Sequence, residues 1–210
     1  MNETAVEFKS GAIKLEGLLA IPEKGGPFAG AVVCHPHPLH GGSMDNNVVE
    51  AICQAMWREG VATLRFNFRG VGASEGEHGG GVAEREDVKA AIEFMAGRKE
   101  IIPGLVLAGY SFGARVALSI TFEPSEVARI IAVALPVSAP IGPPPRAPWR
   151  QPIVLIAGDR DRFCAAPDIA SFHAAISDRS RLIFIAGADH FFLGFETELA
   201  REIQNAVESA

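Results

Sequence analysis

Cysteine is scarce in this chain and basic residues are in the minority, and each shortage removes a class of function. The three cysteines, Cys34, Cys53 and Cys164, are odd in number and share no close spacing, which argues against a disulfide framework and a zinc site. Buried or incidental thiols are expected, with Cys34 in the core at the end of an apolar run. Lysine and arginine number 19 against 25 acidic residues, for a net charge of −6, and no long run carries one sign. There is no basic face for nucleic acid. The longest apolar run, Ile130 to Val137, is far short of a membrane span, and the first residues lack the apolar core of a secretory signal. The expectation is a cytoplasmic protein with neither nucleic acid nor membrane as partner. No internal repeat is present, and 210 residues suit one domain over 1–210. Oligomeric state is left open.

What is present is alternation. Two segments of period two, Ala5 to Lys9 and Ile13 to Ile21, meet through Ser10-Gly11 and read as an antiparallel hairpin at a sheet edge. From Ala29 onward short apolar runs alternate with helical ones. Strands are expected at 30–34, 61–68, 105–108, 130–135, 153–157 and 181–185. Helices are expected at 48–59, 84–96, from 112, at 168–176 and from about 192, the last with Phe192, Phe195, Leu199, Ile203 and Val207 on one core-facing stripe. Asn47 with Glu50 has capping-box spacing ahead of the first helix. Such a chain builds a mostly parallel sheet of about eight strands with helices on both faces, whose ligands bind beyond the carboxyl ends of the strands. The proline-rich stretch 138–152 reads as a stiff connection between two strands.

Residues 104–120 join an apolar run, Gly109-Tyr110-Ser111-Phe112-Gly113 and an amphipathic helix. A serine on a strand-to-helix turn of this kind is strained, needs small residues two before and two after it, and is thrust out beyond the sheet as a nucleophile. A second match, Gly72-Ala73-Ser74-Glu75-Gly76, runs into glycines at 79–81 that cannot begin a helix. Context selects Ser111.

A nucleophilic serine needs a base, an acid to orient the base, and N–H donors for the oxyanion. His190 follows the last strand and is the expected base. Asp159 and Asp161 follow the preceding strand, and either fits the chain order serine, acid, histidine; Asp189, adjacent to His190, reads as a turn former. Phe112 is expected to give one oxyanion N–H. The loop His35-Pro36-His37-Pro38-Leu39-His40 should give the other, through His37 because proline has no N–H, with Leu39 as the alternative. The three histidines also admit a metal site, but the barrel fold that uses His-x-His in that way typically needs about 250 residues. Neither metal nor cofactor is expected.

The whole chain resembles the α/β-hydrolase fold. More narrowly, it resembles small capless bacterial hydrolases related to dienelactone hydrolase, through the loop from His35 to Asn46, Phe68 to Ser74, Gly109 to Gly113, Gly158 to Asp161 and Gly187 to His190. The resemblance implies Asp161 as the acid, a structural loop around Ser74, and no cap domain. It departs from dienelactone hydrolase itself in carrying serine where that enzyme has cysteine, so the lactone substrate does not carry over. The expected activity is a serine hydrolase cleaving small ester substrates through an acyl-enzyme, with Ser111, His190 and Asp161 as triad and the N–H groups of Phe112 and His37 as oxyanion hole. A thioesterase or peptidase on the same triad, a non-catalytic binding protein and a metal-dependent hydrolase are the rivals. Trp149 and Phe163 are candidates to line the site, and short acyl chains are the expected substrates.

Overall fold

In the computed structural model, which describes residues 1–23, 25–138, 145 and 149–208, eight strands form one sheet. They are β1 (Thr4–Ser10), β2 (Ile13–Ala20), β3 (Gly30–Cys34), β4 (Ala62–Phe66), β5 (Leu105–Tyr110), β6 (Val127–Val133), β7 (Ile153–Gly158) and β8 (Ser180–Ile185). The order across the sheet is β1-β2-β4-β3-β5-β6-β7-β8. β1 and β2 form the expected hairpin, β2 meets β4 antiparallel, and every pairing from β4 through β8 is parallel.

Alternation along the central strands sends side chains to two separate cores. Val32 and Cys34 of β3 join Leu64, Phe66 and Leu107 on one face, while Ala31 and Val33 join Ile131 and Ile156 on the other. The first face is covered by helices α2 (Glu84–Ala96), α3 (Phe112–Leu118) and α4 (Ala166–Ala175), through buried residues such as Ile92, Val116 and Ile169. The second is covered by α1 (Asn47–Arg58) and α5 (Glu196–Glu208), which bring Ile52, Met56, Leu199 and Ile203 against the strands. Helices on both sides bury β3 and β4 at every position; β3 is apolar on both faces, whereas β4 buries Thr63 and Arg65 on the face opposite Leu64 and Phe66. Between β6 and β7, where a cap would be inserted, lie only residues 134–152. The proline-rich connection expected there falls mostly on 139–144 and 146–148, outside the described residues.

Several boundaries differ from those read in the sequence. The helix cap is Asn46, not Asn47: Asn46 is extended and its side chain accepts the N–H of Val48 at 3.0 Å, leaving Asn47 inside the helix. α5 begins at Glu196 rather than near Phe192, because Phe192 adopts a left-handed φ of 53° that no helix accommodates. β4 ends at Phe66, two residues short of the expected boundary, although the Asn67 N–H still donates to the Glu16 carbonyl at 3.0 Å in line with the β2 pairing. Trp149 is core: its ring is buried and its indole N–H donates to the Leu118 carbonyl at 3.0 Å. His173 is half-buried with its ring 2.7 Å from the Ser180 hydroxyl.

Ser74 holds a loop together. Its buried hydroxyl donates to the Asn67 carbonyl at 2.7 Å and accepts the Glu16 N–H at 3.1 Å, tying the chain after β4 to β2. Ser74→Ala should therefore cost about 1–3 kcal/mol in urea unfolding, the scale of stranding buried hydrogen-bonding groups. A loss below about 0.3 kcal/mol would show that water replaces both bonds.

Candidate active site

The turn after β5 places Ser111 at the carboxyl edge of the sheet with φ 54° and ψ −115°, a conformation hostile to a side-chain-bearing residue. The surrounding backbone leaves no alternative. A Cβ on Gly109 would lie 2.5 Å from the Ala114 nitrogen, and one on Gly113 would lie 2.6 Å from the His35 carbonyl oxygen. The Ser111 N–H is itself anchored to the Val133 carbonyl at 2.9 Å.

Two further loops complete the group. His190 lies on the loop after β8, with Nε2 3.1 Å from Ser111 Oγ and Nδ1 2.7 Å from Asp161 Oδ2. Asp161 lies on the loop after β7, and its other oxygen accepts the N–H groups of Phe163 and Cys164 at 2.7 and 2.8 Å. Burial works against the Asp161 carboxylate, but the bond and charge of His190 and the two backbone N–H groups outweigh it and hold its pKa below the ordinary value. With Asp161 ionised, the geometry assigns the proton to His190 Nδ1 and leaves Nε2 to accept from the serine hydroxyl. Asp159 takes no part in this chain: it is exposed and accepts the Gly187 N–H at 2.7 Å, bracing the two loops against each other. Asp189 caps its own turn through the Phe191 N–H at 2.9 Å.

On the opposite side of Ser111, the rings of His37 and Phe112 lie 4.8 Å apart between centroids. Phe112 opens α3, so its N–H has no partner within that helix, and among the described residues neither it nor the His37 N–H has an acceptor. The alternative donor, Leu39, is spent: its N–H donates to the His37 ring nitrogen at 3.2 Å. The three histidines of this loop do not converge on one point. His35 is fully buried, with Nε2 accepting the Phe68 N–H at 3.0 Å and Nδ1 donating to the Pro36 carbonyl at 2.6 Å.

Four contributors escaped the sequence. Tyr110 donates its hydroxyl to the His190 carbonyl at 2.9 Å, and burial holds that phenol protonated. Cys164 donates to the Ala134 carbonyl at 2.9 Å, with its sulfur 3.7 Å from His190 Nδ1. Glu84, with no side-chain exposure, accepts the N–H groups of Gly79 and Gly81 at 2.7 Å each and lies 2.8 Å from His78. The His78 ring in turn sits 5.0 Å from that of His37 and 5.5 Å from that of Phe112. Burial and the neighbouring His78 lower the pKa of His37. Tyr110, Cys164 and His78 reach partners remote in sequence, whereas Glu84 binds within six residues of itself, and only this acid at the start of α2 offered a local signal.

Among the described residues, the donor atoms close enough to share a metal ion are those of Asp161, Cys164 and His190, within 4.8 Å of one another. They suit a metal poorly. Asp161 and His190 already engage each other, and burial raises the Cys164 pKa so that the thiol keeps its proton. Ser111 instead opens on a cleft of about 510 Å³ lined by Pro36, His37, Gly42, Tyr110, Phe163 and His190 among others, within the usual size of a small-molecule site.

Comparison with known proteins agrees with this architecture. Residues 31–209 match a family model described as an alpha/beta hydrolase domain. An alpha-beta serine hydrolase homologue from Coxiella burnetii is 31% identical with a TM-score of 0.87, the match covering 98% of each chain. A serine hydrolase without lid from Xanthomonas campestris is 28% identical with a TM-score of 0.85, over 100% of this chain and 95% of that one. An uncharacterized protein of Rickettsia prowazekii is 32% identical over 182 residues, covering 83% of this chain and 76% of the relative.

Burial of His35 generates a pH signature. Its pKa falls to about 4, chiefly through desolvation, whereas in the unfolded chain it titrates near 6.5. Between those values the unfolded state holds the extra proton, so stability declines as pH drops through the window, by about 3 kcal/mol in all. Urea unfolding at pH 7 and pH 4.5 should show the decline, and His35→Asn should flatten it. An unchanged slope in the variant would assign the effect to another group.

Proposed function

The chain belongs to the α/β-hydrolase family, and on that footing we propose that it is a serine hydrolase that cleaves esters of small acyl groups through an acyl-enzyme. The observation that carries this reading is the unbroken chain of contacts from Asp161 through His190 to Ser111, at 2.7 and 3.1 Å. Ser111 Oγ attacks the acyl carbon while His190 Nε2 takes its proton. The negative charge that develops on the carbonyl oxygen is received by the N–H groups of Phe112 and His37, which have no other acceptor to surrender among the described residues. The imidazolium, steadied by Asp161, then protonates the leaving alcohol. Water enters, gives its proton to His190 and attacks the acyl-enzyme, and the acid leaves as Ser111 recovers its hydrogen. The residues that carry this sequence need no metal or cofactor.

A fluorophosphonate probe should label Ser111 and no other serine. Ser111→Ala and His190→Ala should each lower turnover by about 10⁴ to 10⁶, and the double variant should be little worse because the groups act as a unit. Asp161→Asn should cost about 10³ to 10⁴ through loss of the correct tautomer, whereas Asp159→Asn should stay within about tenfold, the scale of one hydrogen bond. The reverse ranking would move the acid to Asp159, and labelling elsewhere would sink the mechanism.

Acyl specificity should favour short chains of about two to four carbons. Each methylene left in water forgoes about 0.8 kcal/mol of binding, and a cleft of about 510 Å³ must hold both halves of the ester. The specificity constant across p-nitrophenyl esters from acetate to palmitate checks this, and a rise beyond about eight carbons would contradict it.

A further inference from the structure

A second cleft of about 560 Å³ lies beside the first, lined by Arg160, Arg162, Phe163, Asp189, His190 and Phe191. His190, Phe163 and Phe191 border both clefts, and the two phenylalanine rings meet edge-on at 6.0 Å. The catalytic histidine of the proposed reaction thus stands on the boundary, with the nucleophile on one side and the two arginines on the other.

The chemistry fixes which half of an ester would face the arginines. His190 must reach the leaving oxygen within hydrogen-bond distance to protonate it, so the alcohol half departs on the histidine side. Anything attached to that alcohol runs past Phe163 and Phe191 into the second cleft.

Charge defines what belongs there. Four arginines elsewhere in the chain are paired with carboxylates: Arg65 with Glu3, Arg69 with Asp87, Arg98 with Glu100 and Arg150 with Glu123. Among the described residues neither Arg160 nor Arg162 has a carboxylate within ion-pair distance, although both flank Asp161 in sequence and Asp189 lines the same cleft. The carboxylate of Asp161 is turned inward to His190, and Asp189 is held by the Phe191 N–H. Two exposed guanidinium groups therefore face the cleft against one carboxylate, beside apolar rings that are 63% and 49% exposed for Phe163 and Phe191.

Resting on the serine-hydrolase reading, we propose that Arg160 and Arg162 form an anion subsite, and that the preferred substrates are esters whose alcohol half carries a carboxylate or phosphate. Guanidinium groups receive either oxyanion with paired N–H donors, and the flanking rings suit an aromatic or apolar spacer between ester and anion.

The test uses four acetate esters of similar shape: 4-acetoxybenzoate, 4-acetoxyphenyl phosphate, 4-methylphenyl acetate and 4-acetoxyphenyl trimethylammonium. Each is assayed with wild type and with the double variant Arg160→Gln/Arg162→Gln, so that intrinsic ester reactivity cancels in the ratio. Both substituted positions are exposed, and neither belongs to the reacting group. The kcat/KM for at least one anionic ester should fall about tenfold in the variant, the neutral ester should change by less than about twofold, and the cationic ester should improve. The anion with the larger ratio identifies the source. Raising sodium chloride from about 0.02 to 0.5 M should erode the wild-type preference for anions. An equal response of anionic and neutral esters, with Ser111 still labelled by fluorophosphonate, overturns the subsite alone. Absence of labelling in wild type overturns the serine-hydrolase reading and the subsite with it.

Discussion

The carbonyl groups of Cys34 and His35 pass so close to Gly113 that a single added carbon there would collide with both. This contact brings the first turn of α3 against the end of β3, and much of the site's geometry depends on it. It seats the strained Ser111 at the sheet edge, aligns the N–H of Phe112 with the outgoing loop, and starts that loop where His37 comes alongside Phe112. The strand order is part of the same constraint, since β3 and β5 must be neighbours for their exits to meet. Gly109 meets the same demand from the strand side.

The histidine side is built by a comparable approach. A Cβ on Gly158 would strike the backbone of Ala188, so the loops after β7 and β8 run in contact as they leave the sheet. Arg160 N–H donates to the Ala188 carbonyl at 3.0 Å and Asp159 accepts from Gly187. Asn47 and Tyr110 then hold the carbonyls of Phe191 and His190 from two other elements. His190 is thereby fixed from both flanks by groups that never touch its ring nitrogens. Among the described residues, the three side-chain-bearing positions with left-handed φ are Ser111, Ala134 and Phe192, and each adjoins this assembly. Ala134 supplies the carbonyl that Cys164 engages, and Phe192 bends the chain two residues after His190. Strain concentrated in this way is held in place by the surrounding packing rather than by local preference.

Much of this was legible because the signals were local. The parallel strands announce themselves as short apolar runs, and the glycines around Ser111 stand at the fixed spacing of a strand-to-helix turn, Gly109 answering a clash within five residues. Legibility failed where periodicity continued past a structural boundary. Phe192 and Phe195 keep helical spacing with Leu199, yet Phe192 is buried in a turn and the helix starts only at Glu196. Asn47 has the spacing of a cap, but Asn46 is the residue whose backbone is extended. The choice between Asp159 and Asp161 could not come from composition, because both follow one strand and only the loop's path decides which carboxylate meets His190. His78 and Tyr110 were missed for the same reason: the rings of His37 and Phe112 and the carbonyl of His190 come to them through the tertiary fold and not by spacing.

Asp161 shows how that path is decided. Taking a carboxylate out of water is costly unless its oxygens are fully engaged, and the loop 161–164 engages one of them entirely with its own backbone, through Phe163 and Cys164. The second oxygen is left for an imidazole and nothing else. An exposed residue such as Asp159 bears no such cost and gains no such exclusivity, so its carboxylate can serve as a brace between loops but would hold a histidine only loosely against competing water. In the proposed reaction that difference matters when His190 becomes charged. The stabilising carboxylate is already desolvated, aligned and ionised, so little reorganisation accompanies the proton transfer. In the same proposed reaction the N–H groups of Phe112 and His37 are the counterpart for the oxyanion: donors without an acceptor among the described residues, whose full strength is available when charge develops on the substrate oxygen.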